Sequence, residues 1–316
     1  MYRLGIDLGG TNIVAGLVDE EYKIVAKASC KTNVPRPESS ICDSMAEVAL
    51  KACEKAGVSI DEVESVGIGV PGAVNPKTGI IEYSANLHFH NWEVVKMMQE
   101  RLNKKVLIEN DANAAALGEY LAGSAKGAKN AVAITLGTGV GGGIIINGKI
   151  YSGSNFAGAE LGHMVIVKDG KECGCGRKGC WEAYSSATGL INLTKEKILS
   201  DKMDYSYMLK LADGDINKVN GKTAFDAAAA GDNDAQEVLD TYFGYLATGL
   251  VNIINIFQPD VLCIGGGISN QGENLLRPLR KISEEERYTK HNDKQTMLCT
   301  CTLGNDAGII GAAFLD

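Results

Sequence analysis

The chain has 316 residues, of which 45% are hydrophobic and 22% are charged, and its 31 Lys and Arg against 39 Asp and Glu give a net charge of −8. This balance excludes a disordered chain, and an acidic surface argues against a nucleic-acid partner. Because a single core stops growing at about 250–300 residues, we expect two domains or two lobes. Glycine accounts for 38 residues, which predicts many tight backbone loops.

The amino terminus has no apolar signal-peptide core, and it meets an acidic residue at Asp7. Two charge-free stretches, residues 130–148 and 241–259, are interrupted by glycines or amides. We therefore expect them to be buried core and not membrane spans. With nine cysteines and no secretory signal, we expect a reducing, cytoplasmic location, no disulfide framework and no membrane partner.

Strands and helices alternate along the chain. Short apolar runs predict strands at 3–19 (two strands around a glycine turn), 66–70, 106–108, 131–136, 143–146 and 261–264. The spacing of apolar residues or a richness in alanine predicts helices over 39–56, 112–122 and 234–257. This order predicts an α/β protein.

Two glycine-rich segments resemble each other: Ile6-x-Leu8-Gly9-Gly10-Thr11 and Ile134-x-Leu136-Gly137-Thr138-Gly139. Residues 137–142, which continue the second segment, match the G-x-G-x-x-G pattern of dinucleotide-binding proteins. A β-branched run after them predicts a strand where that pattern requires a helix. Hydride transfer is thereby excluded, and no P-loop motif is present. Together with Gly265–Gly267, the two turns predict backbone N–H groups that bind phosphate.

The glycine turns are part of an ordered set of motifs. The segment Asp7-Leu8-Gly9-Gly10-Thr11-Asn12 resembles the phosphate signature of the ROK family (repressor, open reading frame, kinase). Further matches follow at Pro71-Gly72, Glu109-Asn110-Asp111, residues 136–139, Glu160-x-Gly162-His163, residues 173–180 and residues 304–313. The resemblance is nearest to the bacterial glucokinases of that family.

This resemblance implies the two-lobed α/β fold of actin and hexokinase, a duplicated ribonuclease H-like fold with a nucleotide in the cleft between the lobes. It implies a small lobe of residues 1–112 plus 303–316 and a large lobe of residues 113–302. A homodimer is a further expectation from the family.

The resemblance also implies ATP and Mg²⁺. Asp7 would orient Mg²⁺ through water, and Gly266 and Gly267 resemble the turn where the family packs adenosine. The residues implied for the phosphates are Gly9, Gly10, Thr11, Asn12, Gly137, Thr138 and Gly139.

Three thiols and one imidazole fall within residues 163–180: His163, Cys173, Cys175 and Cys180. Glycines between them provide the tight turns of a metal knuckle. A Cys₃His set suits tetrahedral Zn²⁺ with no open position, so we predict a structural zinc site. The family resemblance implies the same four ligands.

Two glutamates flank this knuckle, and a carboxylate can accept hydrogen bonds from adjacent sugar hydroxyls. The resemblance implies that Glu160, His163 and Glu182 contact a sugar, with His163 using the ring nitrogen that is not bound to metal. It also implies sugar contacts from Asn86 and Asn110. The loop after Asn86 is longer than the family pattern predicts, which leaves the identity of the sugar open.

Asp111 lies between the predicted strand at 106–108 and the predicted helix at 112–122. An Asp at a helix start is a common N-cap. The alternative, which we favour, is that Asp111 accepts the proton of the sugar hydroxyl that attacks the γ-phosphoryl group. The family places its catalytic Asp at this position.

The sequence therefore predicts a sugar kinase that phosphorylates a hexose at the 6-hydroxyl, with glucose as the first choice. N-acetylglucosamine, N-acetylmannosamine, allose and fructose stay open as alternatives, as does polyphosphate in place of ATP. A sugar-sensing repressor of the family would carry an amino-terminal helix-turn-helix, whereas this chain enters its first phosphate strand at Leu4. A non-catalytic sugar-binding protein is disfavoured by Asp111 and the complete phosphate turns.

Overall fold

The computed structural model describes residues 1–84, 87–200 and 206–316. The chain divides into two compact units. The first unit comprises residues 1–133, 142–159 and 301–316, and the second unit comprises residues 134–141 and 160–300.

The described chain contains strands and helices in alternation. The strands are β1 (Tyr2–Leu8), β2 (Asn12–Asp19), β3 (Ile24–Lys31), β4 (Val63–Val70), β5 (Ala73–Asn75), β6 (Ile80–Ser84), β7 (Phe89–Trp92), β8 (Lys105–Asn110), β9 (Ala131–Leu136), β10 (Val140–Ile146), β11 (Lys149–Ile150), β12 (Val261–Gly265) and β13 (Met297–Thr300). The helices are α1 (Glu38–Ala56), α2 (Val94–Leu102), α3 (Asp111–Ala122), α4 (Glu182–Ser185), α5 (Ala187–Ser200), α6 (Tyr207–Leu211), α7 (Thr223–Ala229), α8 (Asn233–Phe257), α9 (Glu273–Glu286) and α10 (Asp306–Ala313).

The main sheet of the first unit has the strand order β3-β2-β1-β4-β8. β1 pairs antiparallel with β2 and parallel with β4, and β4 pairs parallel with β8. Alternating residues of β1 (Leu4, Ile6 and Leu8) are fully buried and join a core built with α1 and α2. This alternation is the pattern from which the strand was predicted.

Helix α10 packs directly on the backbone of this sheet. A Cβ atom at Gly5 would lie 1.9 Å from the carbonyl oxygen of Ile309, and one at Gly67 would lie 1.7 Å from that of Ala312. Only glycine allows so close an approach of helix and strand.

Helix α3 packs as closely on α10, since a Cβ atom at Gly118 would lie 2.1 Å from the carbonyl oxygen of Ala307. The predicted boundary of the small lobe at residue 112 falls at the start of α3, which begins at Asp111. In the structure α3 lies in the first unit, because it shares this contact with α10.

A second five-stranded sheet has the order β11-β10-β9-β12-β13. The turn between β10 and β11 is formed by Asn147 and Gly148, both with positive φ, as the Asn-Gly pair predicts. A strand, and not a helix, follows the G-x-G-x-x-G segment, which confirms that prediction.

The long helix α8 forms much of the core of the second unit, and Trp181 is fully buried against it. The Trp181 indole N–H donates to the carbonyl oxygen of Tyr245 over 3.0 Å. A Cβ atom at Gly249 would lie 2.0 Å from the indole ring. Within the described ranges, no helix has the length and apolar character needed to cross a membrane.

Candidate functional site

The carboxyl ends of three parallel strands bring several predicted residues to one edge of the first unit. In the sheet register Asp7 of β1 lies opposite Gly69 of β4, and Val70 lies opposite Asn110 of β8. Asp111 follows directly as the first residue of α3. This edge is where open α/β sheets commonly bind ligands.

Two carboxylates at this edge, those of Asp7 and Asp111, have raised pKa values. Burial, and secondarily the charge of Asp111, raises the pKa of Asp7 from 3.8 to about 6. Burial also raises the pKa of Asp111, opposed by the backbone N–H of Ala112, which donates to Asp111 Oδ1 over 2.9 Å. A raised pKa in a pair of acids is typical of functional sites.

The first glycine turn, Gly9–Asn12, is closed by a hydrogen bond of 2.9 Å from the Gly9 N–H to the Asn12 carbonyl oxygen. Thr32, which directly follows β3, supports this turn. Its hydroxyl donates to the Gly9 carbonyl oxygen over 2.6 Å, and its N–H donates to the Thr11 carbonyl oxygen over 2.9 Å. Lys31 Nζ donates to Asn12 Oδ1 over 2.9 Å. The sequence did not predict a role for Thr32, because Thr32 reaches the turn only through the pairing of β2 with β3.

Asn110, and not Asp111, is the N-cap of α3. Its Oδ1 accepts hydrogen bonds from the backbone N–H groups of Ala112 and Asn113 over 2.9 and 3.2 Å. Its Nδ2 donates to the Gly72 carbonyl oxygen over 3.1 Å. The capping alternative considered for Asp111 therefore applies to its neighbour, and the Asp111 side chain is not needed as the cap.

The buried carboxylate of Glu109 supports the first turn of α3. Glu109 Oε1 accepts from the Asn110 N–H over 2.9 Å and from Asn113 Nδ2 over 3.0 Å. Burial raises the pKa of Glu109, and these two hydrogen bonds oppose the rise. The first turn of α3 is thus fixed in position.

The second glycine turn lies in the second unit, between β9 and β10. Its carbonyl oxygens are held by the start of α5: the Ala187 N–H donates to that of Gly137, and the Thr188 hydroxyl donates to that of Thr138, each over 2.8 Å. Gly266, with φ of 84°, approaches the end of β9, since a Cβ atom there would lie 2.4 Å from the Leu136 carbonyl oxygen. Gly267 begins the short 3₁₀ helix that follows.

The two glutamates that flank the knuckle have different surroundings. Glu160 is exposed, and its Oε2 lies 4.0 Å from His163 Nε2. Glu182 is half-buried, and its Oε2 accepts from the Val140 N–H over 2.9 Å. Its carboxylate occupies the space beside Gly139, where a Cβ atom would lie 2.2 Å from Oε2.

His163, Cys173, Cys175 and Cys180 come together as predicted, with all four ligand atoms within 4.8 Å of one another. His163 Nδ1 lies 3.6 Å from Cys173 Sγ, and the sulfurs of Cys175 and Cys180 are 3.7 Å apart. Tetrahedral Zn²⁺ with ordinary bond lengths requires about 3.6 Å and about 3.8 Å for such pairs. Burial raises the pKa of the Cys173 thiol to about 12, so a bound cation would have to displace its proton. The donor set and its spacing fit zinc.

The remaining predicted residue, Asn86, lies outside the described residues. The first unit thus brings together Asp7, Gly9–Asn12, Asn110 and Asp111, and the second unit brings together the Gly137–Gly139 turn, Glu182, His163 and Glu160. A cavity of about 530 Å³ among α7, α8 and α9 is lined by none of these residues.

Comparisons with known proteins find similarity over nearly the whole length of this chain. The model of the ROK family matches residues 3–316. A glucokinase of Thermotoga maritima is 38% identical to this chain, and the match covers 98% of this chain and 95% of the glucokinase. The xylose repressor of Bacillus subtilis is 30% identical, and that match covers 98% of this chain and 75% of the repressor. The crystal structure of a ROK family glucokinase from Streptomyces griseus, in complex with glucose and AMPPNP, is 35% identical, with a TM-score of 0.80 over 99% of this chain and 98% of that one. The two-lobed α/β fold predicted from the sequence is confirmed, and this chain belongs to the ROK family.

Proposed function

We propose that this chain transfers the γ-phosphoryl group of ATP to the 6-hydroxyl of glucose. Sugar-kinase activity is supported by full-length similarity to glucokinases. The single observation that carries the mechanism is the position of Asp111, a half-buried carboxylate in the first turn of α3 that is close enough to raise the pKa of Asp7.

Asp111 serves as the general base. The sugar oxygen attacks the γ-phosphorus, its proton passes to the Asp111 carboxylate, and the bond to the β-phosphate oxygen breaks with its electron pair left on ADP. Burial raises the pKa of Asp111, which makes it a better proton acceptor than an exposed Asp. Phosphoryl transfer has a loose transition state, so positioning matters more than base strength. That positioning comes from Asn110 and Glu109.

The phosphates are bound by the two glycine turns. In the second turn the carbonyl oxygens of Gly137 and Thr138 already accept hydrogen bonds from α5, so an anion would meet N–H groups. Gly9, Gly10, Thr11 and Asn12 have the same role in the first turn, and Gly266 and Gly267 adjoin the adenosine. Asp7 would hold Mg²⁺ through water, and the ion would supply positive charge that neutralises the phosphates and Asp7.

The sugar is bound by Glu160 and by His163 through Nε2, which the Cys173 contact of Nδ1 leaves available. Glu182 offers Oε1, to which the Cys173 thiol also donates over 3.6 Å, since Oε2 already accepts from the Val140 N–H. Asn110 keeps one amide hydrogen beyond its bond to Gly72, and Asn86 completes the proposed set. His163, Cys173, Cys175 and Cys180 would hold a structural Zn²⁺, which would fix the positions of the neighbouring sugar ligands Glu160 and Glu182.

The decisive experiment replaces Asp111 by Asn. We expect kcat to fall by about 10²–10⁴-fold, with the glucose Kd from calorimetry changed only a few-fold. Asp234→Asn, the same charge change in the first turn of α8, is the matched control and should retain turnover. Turnover retained by Asp111→Asn would refute the assignment.

A substrate panel tests the sugar and the donor. Glucose, N-acetylglucosamine, N-acetylmannosamine, allose and fructose are each offered with ATP and with polyphosphate, and kcat/KM is compared. We expect glucose with ATP to give the highest value. If the chain binds a sugar but turns over none of the pairs, a sugar-sensing protein would be favoured. The similarity to the xylose repressor is the reason to retain that alternative.

We also propose a homodimer and a cytoplasmic location, both on the family resemblance. Light scattering on the eluted protein tests the first, since a dimer would have twice the chain mass of 33.5 kDa. Cell fractionation tests the second.

A further inference from the structure

Val140 links the second glycine turn to the metal knuckle. It is the first residue of β10, directly after Gly139, and its backbone N–H donates to Glu182 Oε2 over 2.9 Å. Glu182 lies two residues after the ligand Cys180. The missing side chain of Gly139 makes room for this carboxylate, so the contact is built into the turn.

A second ligand-bearing segment contacts the same residue. Gly162 directly precedes the ligand His163 in a short 3₁₀ helix. A Cβ atom at Gly162 would lie 2.3 Å from the Val140 carbonyl oxygen and 3.1 Å from its Cβ. Val140 is therefore held through its N–H by the Cys180 segment and through its carbonyl side by the His163 segment.

A metal ion bound to His163 and Cys180 would tie these two segments to each other. Without the metal, the two segments remain joined by the backbone N–H of Trp181, which donates to the Met164 carbonyl oxygen over 2.8 Å. A backbone bridge between Val165 and Cys180 also joins them. Trp181 is also anchored on α8. Loss of the metal would then weaken the contacts of Glu182 and Gly162 with Val140 without unfolding the second unit.

We propose that metal binding at the knuckle and nucleotide binding at the Gly137–Gly139 turn are positively coupled through Val140, with Glu182 as a positioning residue for the turn. The inference rests on the proposed function, because it takes this turn to bind phosphate. The bridge that persists without metal limits the coupling to the lower part of the usual allosteric range, about 5- to 20-fold. Linkage requires that the nucleotide raise the zinc affinity by the same factor.

The test measures binding and not turnover. The Kd of Mg·AMPPNP is determined by calorimetry for the zinc-loaded chain and for the chain freed of zinc by a zinc-selective chelator that is then removed. The zinc Kd is determined by competition with a chromophoric chelator, with and without Mg·AMPPNP. We expect zinc to tighten nucleotide binding about 5- to 20-fold, with the same factor in the reciprocal measurement. Equal nucleotide affinity in both forms overturns the coupling, whereas no nucleotide binding in either form overturns the proposed function instead.

Variants locate the coupling. Glu182→Ala removes the acceptor for the Val140 N–H, so its zinc-loaded form should bind Mg·AMPPNP as weakly as the zinc-free wild type. Glu182→Gln retains an acceptor oxygen and should keep part of the coupling. Glu172→Ala removes an exposed carboxylate of the same knuckle that pairs only with Lys178 among the described residues, and it should keep all of it.

Gly162→Ala gives an independent check, because its methyl group would displace the Val140 carbonyl. It should weaken the coupling even if Glu182→Ala fails to fold. Wild-type coupling in Gly162→Ala and in either Glu182 variant would overturn the proposal.

Discussion

The Asp7 carboxyl should make the free protein less stable as pH rises. Its pKa is raised from 3.8 to about 6, first by burial and then by Asp111. The folded state therefore binds this proton more tightly than the unfolded state does, and stability falls between about pH 4 and pH 6. At about 1.4 kcal/mol for each tenfold change in proton affinity, the loss above pH 6 reaches about 3 kcal/mol.

Asp7→Asn tests this reasoning, because asparagine resembles the protonated acid and carries no charge at any pH. We expect the variant to exceed the wild type in free energy of unfolding by about 2–3 kcal/mol at pH 8, and the difference to vanish near pH 4. At the same time kcat should fall, since the proposed Mg²⁺ contact is lost. A gain in stability with a loss of activity is typical of a residue kept for function.

The assay is urea unfolding of the zinc-loaded, Mg²⁺-free and nucleotide-free chain at several pH values, with equal m values as the condition for comparison. Asp213→Asn is the control, because Asp213 is exposed and pairs with Lys218 at the surface, where such pairs contribute at most about 1 kcal/mol. A difference between Asp7→Asn and wild type that is the same at pH 8 and pH 5, or a variant less stable than wild type at pH 8, would refute the reasoning.

Three further predictions concern stability. Glu119→Gln should cost about 1–3 kcal/mol in urea unfolding, because the buried Glu119 carboxylate accepts from the N–H groups of Thr302 and Leu303; an unchanged unfolding midpoint would contradict this. Gly249→Ala should lower the melting temperature by several degrees, since a methyl group there would enter the Trp181 ring; an unshifted melting curve would show that the ring can move aside. Removal of zinc should lower the melting temperature and the activity, and added Zn²⁺ should restore both, whereas recovery with Mg²⁺ alone would argue against a structural zinc.

Local sequence signals predicted the parts of the fold that depend on neighbouring residues. The strand at 131–136 has the predicted bounds, and the helix predicted over 234–257 begins one residue earlier, at Asn233. Both have strong periodic or apolar patterns. The short strands β5, β6 and β7 were not predicted, because they contain three to five residues and their partners fix them.

At the site, residue types were predicted but their hydrogen bonds were not. The four side chains predicted to bind a metal converge, because they lie within one short stretch. The bond from Val140 to Glu182 joins residues 42 positions apart, and the support of Gly9 by Thr32 depends on strand pairing. The sequence could not reveal either contact. The same holds for Asn110, whose capping role follows from where α3 begins.

The burial of Trp181 beside Cys180, a predicted metal ligand, has a practical consequence. The chain has two tryptophans: Trp92 lies in the core of the first unit, and Trp181 lies between Cys180 and Glu182. Replacing Trp92 with Phe would leave one intrinsic fluorophore next to the knuckle. Its emission would then follow the arrival and departure of zinc in real time, without any label.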